Sequence, residues 1–404
     1  MKIAIPRETR EFETRVAATP ETVKKFAALG AELVVQAGAG AGANIPDQAY
    51  RDAGASIAKT FAATLKGADV VLKVQRPAED EVKSFAAGQK LFCIMSPYNE
   101  PAIMEALAAS GVDAFAMEFM PRISRAQSMD VLSSQANMAG YKAVLEGANA
   151  YGRAFPQMMT AAGTIAPAKV FVMGVGVAGL QAIATARRLG AIVTATDVRP
   201  ATEEQVASLG GKFIAVKNEE FEQAQTATGY AKPMSDDYQR QQAELVAGHI
   251  ARQDIVITTA LIPGRKAPVL VSAEMVASMK PGSVIVDLAV EQGGNVEGVE
   301  LDRVITTENG VKILGLANMP GRLATDTSSL FARNHFNFLS PFIKEGALAL
   351  DDEDELVKGI RLTGGGAVVH PNFAPKPDSA PEPTPESAPE SAPESTTNTA
   401  EKED

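Results

Sequence analysis

The sequence predicts an α/β fold with two Rossmann-like domains, each built on a parallel sheet with helices on both faces. Two patterns support this class: apolar runs alternate with helical segments over residues 1–120, and a second such series begins at residue 169 with an apolar run that leads into a glycine-rich turn. Strands that alternate with helices form parallel sheets. A third observation is the length of the chain. Its 404 residues are more than a single domain with one hydrophobic core usually contains, so two domains are expected.

The first domain takes its predicted strands from five apolar runs, and helical segments lie between them. The strands are expected at 2–5, 31–36, 68–74, 90–95 and 113–118, and the helical segments near 47–53, 78–85 and 100–109. A further helix follows the first strand, because Thr19 is a suitable N-cap, Pro20 fits the first helical position and Gly30 ends the run.

Residues 121–130 are polar, lack helix or strand periodicity and carry two arginines and an acid. Such a segment is either a solvated connection or a binding loop between domains, where ligand clefts often form. Ser133 or Ser134 then caps a long helix, 135–153, which carries the chain into the second domain.

The second domain continues from the glycine-rich turn with a helix at 180–189, a strand at 191–196 and a strand near 212–216. Residues 218–244 form a polar excursion, either a mobile lid or a tolerated surface insertion. Strands follow at 254–260, 283–289 and 311–314. A capped amphipathic helix at 326–339 returns the chain to the first domain. The expected division is 1–132 plus 322–370 for a discontinuous first domain, and 133–321 for the nucleotide-binding domain.

The glycine-rich turn matches the pattern of dinucleotide-binding folds. Gly174 allows a tight turn, Gly176 allows the backbone to approach a pyrophosphate, and Gly179 allows helix and strand to pack closely. Asp197 ends the next strand, where a carboxylate accepts hydrogen bonds from a ribose 2′-hydroxyl and repels a 2′-phosphate. NAD(H) is therefore favoured over NADP(H), although Arg199 could serve a phosphate. The alternative for the glycines is an ordinary tight turn.

Composition narrows the class of protein. The net charge of −11 argues against a nucleic-acid partner, and no apolar run approaches the roughly 20 residues of a membrane span. One cysteine, Cys93, fits a cytoplasmic protein. Residues 371–404 contain eight acids and two lysines, a net charge of −6, with many prolines and serines. This composition predicts a disordered acidic tail.

The three histidines, His249, His335 and His370, lie far from one another and from any metal-ligand spacing, so no metal site is predicted. Many dehydrogenases need an acid/base group because their substrate loses a proton with the hydride. A hydride passed between two nicotinamides needs only close placement of the two rings. The lack of a convincing catalytic histidine favours that second chemistry.

Five segments together resemble the soluble NAD(H)-binding component of proton-translocating NAD(P) transhydrogenases, in the form whose alpha subunit is divided into separate chains. They are residues 1–8, 121–134, 159–164, 174–184 and 258–264, and the segment 121–134 is the most specific. The resemblance implies a homodimer that binds NAD(H) in the cleft between its two domains. It also implies hydride transfer to or from NADP(H) on a separate beta subunit, coupled to proton translocation, with a second, small alpha chain in the membrane. The expected location is the cytoplasm, peripheral to the inner face of the membrane.

The same resemblance implies roles for individual residues. Arg122, Gln127 and Asp130 form the expected catalytic constellation: Arg122 pairs with Asp130 and shapes the nicotinamide site, and Gln127 bonds the nucleotide and aligns the two rings. Ser133 lies at the carboxamide end, and Tyr230, with Met234, belongs to a mobile loop that closes over the nucleotide. The full set of expected cofactor contacts is Arg122, Ile123, Ser124, Gln127, Ser133, Val172, Gly174, Gly176, Val177, Ala178, Gly179, Asp197, Val198, Arg199, Gly229, Tyr230, Gln242 and Leu261.

Two alternatives remain open. Alanine dehydrogenases share the start of the chain, and Lys73 resembles their substrate lysine, but the segment that carries their catalytic histidine reads Cys93-Ile-Met-Ser-Pro-Tyr98 here. A redox-sensing NAD-binding regulator is the other alternative, and the chain offers no basic motif for binding DNA.

Overall fold

A computed structural model describes residues 1–224, 234–262 and 264–374. The first sheet has six parallel strands in the spatial order β3-β2-β1-β4-β5-β6. Its strands are β1 (Lys2–Ile5), β2 (Glu32–Gln36), β3 (Ser56–Ala58), β4 (Val70–Gln75), β5 (Lys90–Ile94) and β6 (Asp113–Ala116). The helices between them are α1 (Pro20–Ala28), α2 (Asp47–Asp52), α3 (Phe61–Leu65), α4 (Glu79–Val82) and α5 (Pro101–Ala109).

The junction between the sheets is more helical than the sequence predicts. A 3-10 helix spans Ser124–Met129, and the long helix α6 spans Val131–Ala150. The predicted cap at Ser133 or Ser134 is wrong: Asp130 is the N-cap, and its side chain accepts a hydrogen bond from the Ser133 amide at 2.9 Å. A carboxylate satisfies the open amides of a helix start and complements its dipole, so the helix begins four residues earlier than predicted.

The second sheet has seven strands in the order β11-β10-β9-β12-β13-β15-β14, all parallel except β14, which pairs antiparallel with β15. A two-stranded hairpin, β7 (Met158–Thr160) and β8 (Gly163–Ile165), precedes it. The sheet strands are β9 (Lys169–Met173), β10 (Ile192–Thr196), β11 (Lys212–Phe213), β12 (Ile255–Thr258), β13 (Val284–Asp287), β14 (Arg303–Thr306) and β15 (Lys312–Gly315). The helices are α7 (Val177–Arg188), α8 (Thr202–Ser208), α9 (Glu219–Glu222), α10 (Asp236–Ile250) and α11 (Ala273–Ser278). The predicted α/β class with parallel sheets is confirmed.

Most of the described residues of the polar segment 218–244 are helical, because α9 and most of α10 lie there, so a loop is wrong for these residues. Ser235 caps α10, and the helix buries Tyr238, Val246 and Ile250 against the second domain. These buried positions are few and widely spaced, which explains why the helix is hard to see in the sequence. The expected loop residues Gly229 and Tyr230 lie outside the described residues.

The last segment returns to the first sheet. It contains α12 (Ala324–Leu339), the pair β16 (Ile343–Lys344) and β17 (Ala347–Leu348), α13 (Glu355–Ile360), and the pair β18 (Thr363–Gly364) and β19 (Ala367–Val368). Phe331 and Phe338 of α12 are fully buried in the core of the first sheet. The helix begins at Ala324 after Leu323, two residues before the predicted start, and it lacks the predicted side-chain cap.

The described fold continues to Ala374, a few residues past the predicted end. Phe373 lies 4.8 Å from the ring of Tyr98 and 5.9 Å from the ring of Phe119, measured between ring centroids. Residues 371–373 therefore pack on the first domain rather than belong to the predicted disordered tail. The rest of that predicted tail, 375–404, lies outside the described residues.

The carboxyl-terminal edges of the two sheets face each other. In one contact, the Asn318 side-chain amide, after β15, donates to the carbonyl of Phe12, after β1, at 2.9 Å. In another, the ring of Tyr98, after β5, lies against Gly264, after β12. Loops at this edge of parallel sheets carry ligand sites. The cleft between the two edges is therefore the expected position of a ligand site.

Candidate functional site

The glycine turn after β9 has the geometry that a dinucleotide site needs. Gly174 has a φ of +101°, which side chains rarely adopt, and its carbonyl accepts a bond from Thr259 Oγ1 at 3.0 Å. A methyl group on Gly179 would overlap the Gly174 carbonyl oxygen. At Gly176, nothing lies within 4 Å of where a methyl group would stand. The loop is thus tight at two glycines and open at the third, next to the N-terminus of α7.

Asp197 closes this loop from the next strand. Its Oδ2 accepts the Val175 amide at 2.7 Å, and its two oxygens accept Arg199 Nε at 2.8 Å and Arg199 Nη2 at 2.9 Å. The sequence suggested Arg199 as a competing phosphate ligand, but in the structure it forms an ion pair with Asp197. The Arg199 amide also donates to Oδ1 at 2.9 Å, so the roughly four acceptor positions of the carboxylate are occupied, and a ribose hydroxyl would bind by displacing the Arg199 side chain.

Apolar side chains surround the glycine turn at the expected contact positions. Val177, Val198 and Leu261 are exposed, with fractional exposures of 39%, 51% and 48%. Val172 differs from them, because it lies inside β9 with a fully buried side chain, where it supports the turn from beneath. Gln242 of α10 donates to Thr196 Oγ1 at 3.1 Å and accepts the Val216 amide at 2.9 Å. It therefore holds the end of β10, next to Asp197.

The second half of the site is the segment Arg122–Asp130, here named the site loop. Arg122, Ser124 and Gln127 are exposed, and Ile123 is half-buried. The Asp130 carboxylate accepts the Ser133 hydroxyl at 2.6 Å in addition to the Ser133 amide. Two of the expected site residues are thus joined directly. The expected pairing of Arg122 with Asp130 stays a prediction.

Helix α6 connects the two halves physically. It begins at the site loop, and further along it Gly140 packs on α7 so closely that a methyl group there would overlap the carbonyl oxygen of Ala178. Asn137 of α6 also donates to Gln181 of α7 at 3.3 Å. Sequence reasoning missed Gly140, although a glycine inside a long helix is a signal of close packing.

The loop after β12 is held by a buried asparagine that sequence reasoning also missed. Asn295 is fully buried; it accepts the Ala260 amide at 3.0 Å and donates to the carbonyls of Ala260 at 2.9 Å and Pro268 at 2.7 Å. Its own backbone amide donates to Asp287 Oδ2 at 2.7 Å. Burial raises the pKa of Asp287 despite these hydrogen bonds. The pair fixes the segment that presents Leu261.

Each histidine has a structural partner. His335 is fully buried, and burial lowers its pKa to about 4. His249 lies 2.9 Å from Thr194 Oγ1, and burial lowers its pKa. His370 packs on Phe119 at 5.2 Å between ring centroids, and burial lowers its pKa also. The lowered pKa of each ring favours its neutral form at pH 7.

Lys73 is fully buried inside the first domain. Its ammonium lies 3.3 Å from Glu8 Oε2 and 3.4 Å from Glu81 Oε2. Burial alone would lower the pKa of Lys73, but the two carboxylates outweigh it and raise that pKa. Lys73 is therefore a charged core residue with internal partners. This placement disfavours the substrate-lysine role that an alanine dehydrogenase would give it.

Comparison with known proteins gives consistent matches over nearly the whole chain. The family described as "Alanine dehydrogenase/PNT, N-terminal domain" matches residues 4–139, and "Alanine dehydrogenase/PNT, C-terminal domain" matches residues 143–371. The first of the alpha-subunit chains of NAD(P) transhydrogenase from Rhodospirillum rubrum is 56% identical over 378 residues, covering 92% of this chain and 98% of the relative. Alanine dehydrogenase of Bacillus subtilis is 31% identical over 375 residues, covering 90% and 92%.

A solved structure of a transhydrogenase from Sinorhizobium meliloti superposes with a TM-score of 0.83 at 56% identity, covering 91% of this chain and 100% of that one. Separately, none of the helices within the described ranges has the length and apolar character needed to cross a bilayer.

Proposed function

This chain belongs to the alanine dehydrogenase/PNT family, and we propose that it is the NAD(H)-binding component of a transhydrogenase. In this proposal, hydride passes directly between NAD(H) held here and NADP(H) held on a partner beta subunit. The observation that carries the proposal is the placement of α6, which begins at the site loop and packs on the glycine turn through Gly140. A nucleotide held by the glycine turn would thereby extend toward Gln127.

The proposed reaction requires that two nicotinamide rings be held close together, and it does not require a proton donor. A hydride moving from one nicotinamide to another leaves no proton to manage, so two rings held in contact and shielded from water are sufficient. The three histidines, whose pKa values are all lowered by burial, fit this scheme. We assign Gln127 to aligning the rings, Arg122 and Asp130 to shaping the nicotinamide site, and Ser133 to the carboxamide. The Asp130–Ser133 hydrogen bonds support the last two assignments.

The proposed preference for NAD(H) rests on Asp197. Its carboxylate lies at the end of β10 beside the glycine turn, where a ribose 2′-hydroxyl would donate to it in place of an Arg199 side-chain contact and a 2′-phosphate would meet its negative charge. Three other expected cofactor contacts, Val177, Val198 and Leu261, offer exposed apolar surface for the nucleotide to cover.

The proposal extends to partners, location and domain boundaries. We assign proton translocation to membrane-embedded partners, a beta subunit and a small second alpha chain, and place this chain against the inner face of the membrane. The name of the Rhodospirillum rubrum relative, which describes one portion of a divided alpha subunit, supports a multi-chain assembly. The proposed division keeps 1–132 plus 322–370 as one unit and 133–321 as the nucleotide-binding unit.

A homodimer is also proposed, with the β7–β8 hairpin as its arm. The hairpin is exposed along its whole length, and Met159 is 82% exposed, while Met158 and Ile165 are exposed beside it. Apolar side chains on such a projection are typical of a surface covered by a partner. Met159→Asp with Ile165→Asp should shift the protein from dimer to monomer in light scattering, whereas Leu301→Asp, on another exposed surface, should not. Monomeric wild-type protein would contradict the dimer.

The direct test mixes this protein with an NADP(H)-binding transhydrogenase subunit, NADPH and an NAD analogue, and follows reduction of the analogue. Turnover should require both proteins and should fall at least about tenfold in Gln127→Asn, since ring alignment is sensitive to small displacements. Turnover of alanine with NAD by this protein alone, with no transfer in the mixture, would favour the alanine dehydrogenase alternative instead.

A further inference from the structure

The site loop is fixed by two asparagines from α12. Asn334 Nδ2 and Asn337 Nδ2 donate to the carbonyl oxygen of Ser128 at 2.9 Å and 3.0 Å. Ser128 directly follows Gln127 in the chain. Two amides that converge on one carbonyl satisfy both of its lone pairs and restrict the adjacent peptide units. The backbone beside Gln127 is therefore held from the α12 side.

Asn334 is the more constrained of the two. It is 6% exposed, and its Oδ1 accepts the Ser134 hydroxyl at 2.7 Å. Its side-chain amide thus bridges the site loop and the first turn of α6. Because buried polar groups are costly when left without partners, this arrangement has one favourable orientation.

An ion pair holds the outer face of the site loop. Arg125 Nη1 and Nη2 bond the two oxygens of Asp354 at 2.8 Å and 2.7 Å. Asp354 is also the N-cap of α13 and accepts the Leu356 amide at 2.8 Å. The hydrogen bonds from Arg125 lower the pKa of Asp354. This pair is partly exposed and contributes less than the buried amides.

We propose that Asn334 and Asn337 are positioning residues for hydride transfer, acting through the Ser128 carbonyl on Gln127. The inference rests on the proposed function. The two asparagines hold the backbone of the site loop at the nicotinamide end, whereas the glycine turn and Asp197 hold the adenosine half of the nucleotide. Loosening the site loop therefore changes how often the two rings meet in a reactive geometry and leaves the affinity for NADH nearly unchanged.

The test compares Asn334→Ala/Asn337→Ala with wild type in two measurements. One is the dissociation constant for NADH, and the other is the single-turnover rate of hydride transfer with the NADP(H)-binding subunit at saturating NADH. The expected result is a dissociation constant within about twofold of wild type and a transfer rate lowered on the order of tenfold or more. Arg333→Ala is the matched control, because Arg333 lies on the same helix and its side chain pairs with Glu21 away from the loop.

The outcomes separate the two levels of the proposal. A wild-type mixture without transfer would remove the proposed function and this inference together. An active wild type with an equally active double variant would overturn the positioning role alone. Equal losses of NADH affinity and transfer rate would also overturn it, since that result indicates a general structural role. If the double variant fails to fold, Asn337→Ala, at a half-buried position, should still lower the rate without changing the dissociation constant.

Discussion

The two sheets of this protein share the order of their first five strands but present different surfaces at the same topological point. In each, the order reverses beside the central strand, between β1 and β4 in the first sheet and between β9 and β12 in the second. The second sheet has the open glycine turn there. The first sheet has buried charges, with Lys73 between Glu8 and Glu81. Topology therefore indicates where a ligand can bind, and the side chains of the adjoining loops decide whether one does.

This contrast predicts that substitutions in the two sheets affect different properties, stability in the first sheet and nucleotide binding in the second. The charges of the first sheet are buried and paired, so changes to them should act mainly on the free energy of unfolding. The glycine turn is open at Gly176, so a change at that position should act mainly on nucleotide affinity.

The largest effect is expected for Lys73→Met. Removing the ammonium leaves Glu8 and Glu81 buried without their counter-charge, so the free energy of unfolding should fall by about 3–5 kcal/mol. Denaturant titration at pH 7 measures this change. Lys25→Met, which removes an exposed pair with Glu21, should cost under about 1 kcal/mol. A Lys73 variant as stable as the Lys25 variant would show that the buried charges do not hold the first sheet.

The next effect concerns pH and His335, in the core of the first domain. Its folded-state pKa of about 4 lies below the ordinary 6.5. As pH falls from 6.5 to 4, the unfolded chain binds this proton first, so stability is lost across that window, by on the order of 3 kcal/mol. His335→Gln should remove this contribution to the pH dependence in unfolding experiments at pH 7 and at about pH 4.5. An unchanged difference between the two pH values would contradict the burial of a neutral ring.

In the second sheet, Gly179→Ala and Gly176→Ala should behave differently. The methyl group on Gly179 meets the Gly174 carbonyl, so the turn must shift, lowering the free energy of unfolding by about 1–3 kcal/mol and abolishing NADH binding. The methyl group on Gly176 meets open space, so stability should stay within about 0.5 kcal/mol while NADH affinity falls. Thermal unfolding and NADH titration of both variants test this. Full NADH affinity in Gly176→Ala would mean that the pyrophosphate does not approach there.

The smallest effect is expected for Asp197→Asn. The neutral amide is a weaker acceptor than the carboxylate, so NADH affinity should fall about tenfold, and NADPH affinity should rise because the repulsion of its 2′-phosphate is gone. Competitive titrations of both nucleotides measure the change. Glu203→Gln is the control, since Glu203 is an exposed acid paired with Lys217. Unchanged preference in Asp197→Asn would remove Asp197 as the selecting residue.

The sequence predicts the regions of this molecule that depend on local patterns. The glycine turn, the strands around it and Asp197 all lie within about 30 residues. The spacing of apolar residues and the residue types in this segment are enough to predict them. The site loop lacks helix or strand periodicity, so its role is predicted only from the resemblance to the transhydrogenase family. Its supports cannot be seen in the sequence, because Asn334 and Asn337 lie 206 and 209 residues from Ser128. Helix α10 is not predicted for another reason. It is polar over most of its length, so it shows no clear apolar face in the sequence.

The most direct test of the central proposal follows the hydrogen itself. NADH carrying deuterium at the reactive C4 position would be mixed with this protein, the NADP(H)-binding subunit and NADP⁺ in ordinary water, and the product NADPH analysed by mass spectrometry. Direct transfer between two rings held in contact predicts that the deuterium appears in NADPH without dilution by solvent hydrogen. NADPH formed without the label would show that the hydrogen passes through an exchangeable group, and would contradict direct hydride transfer.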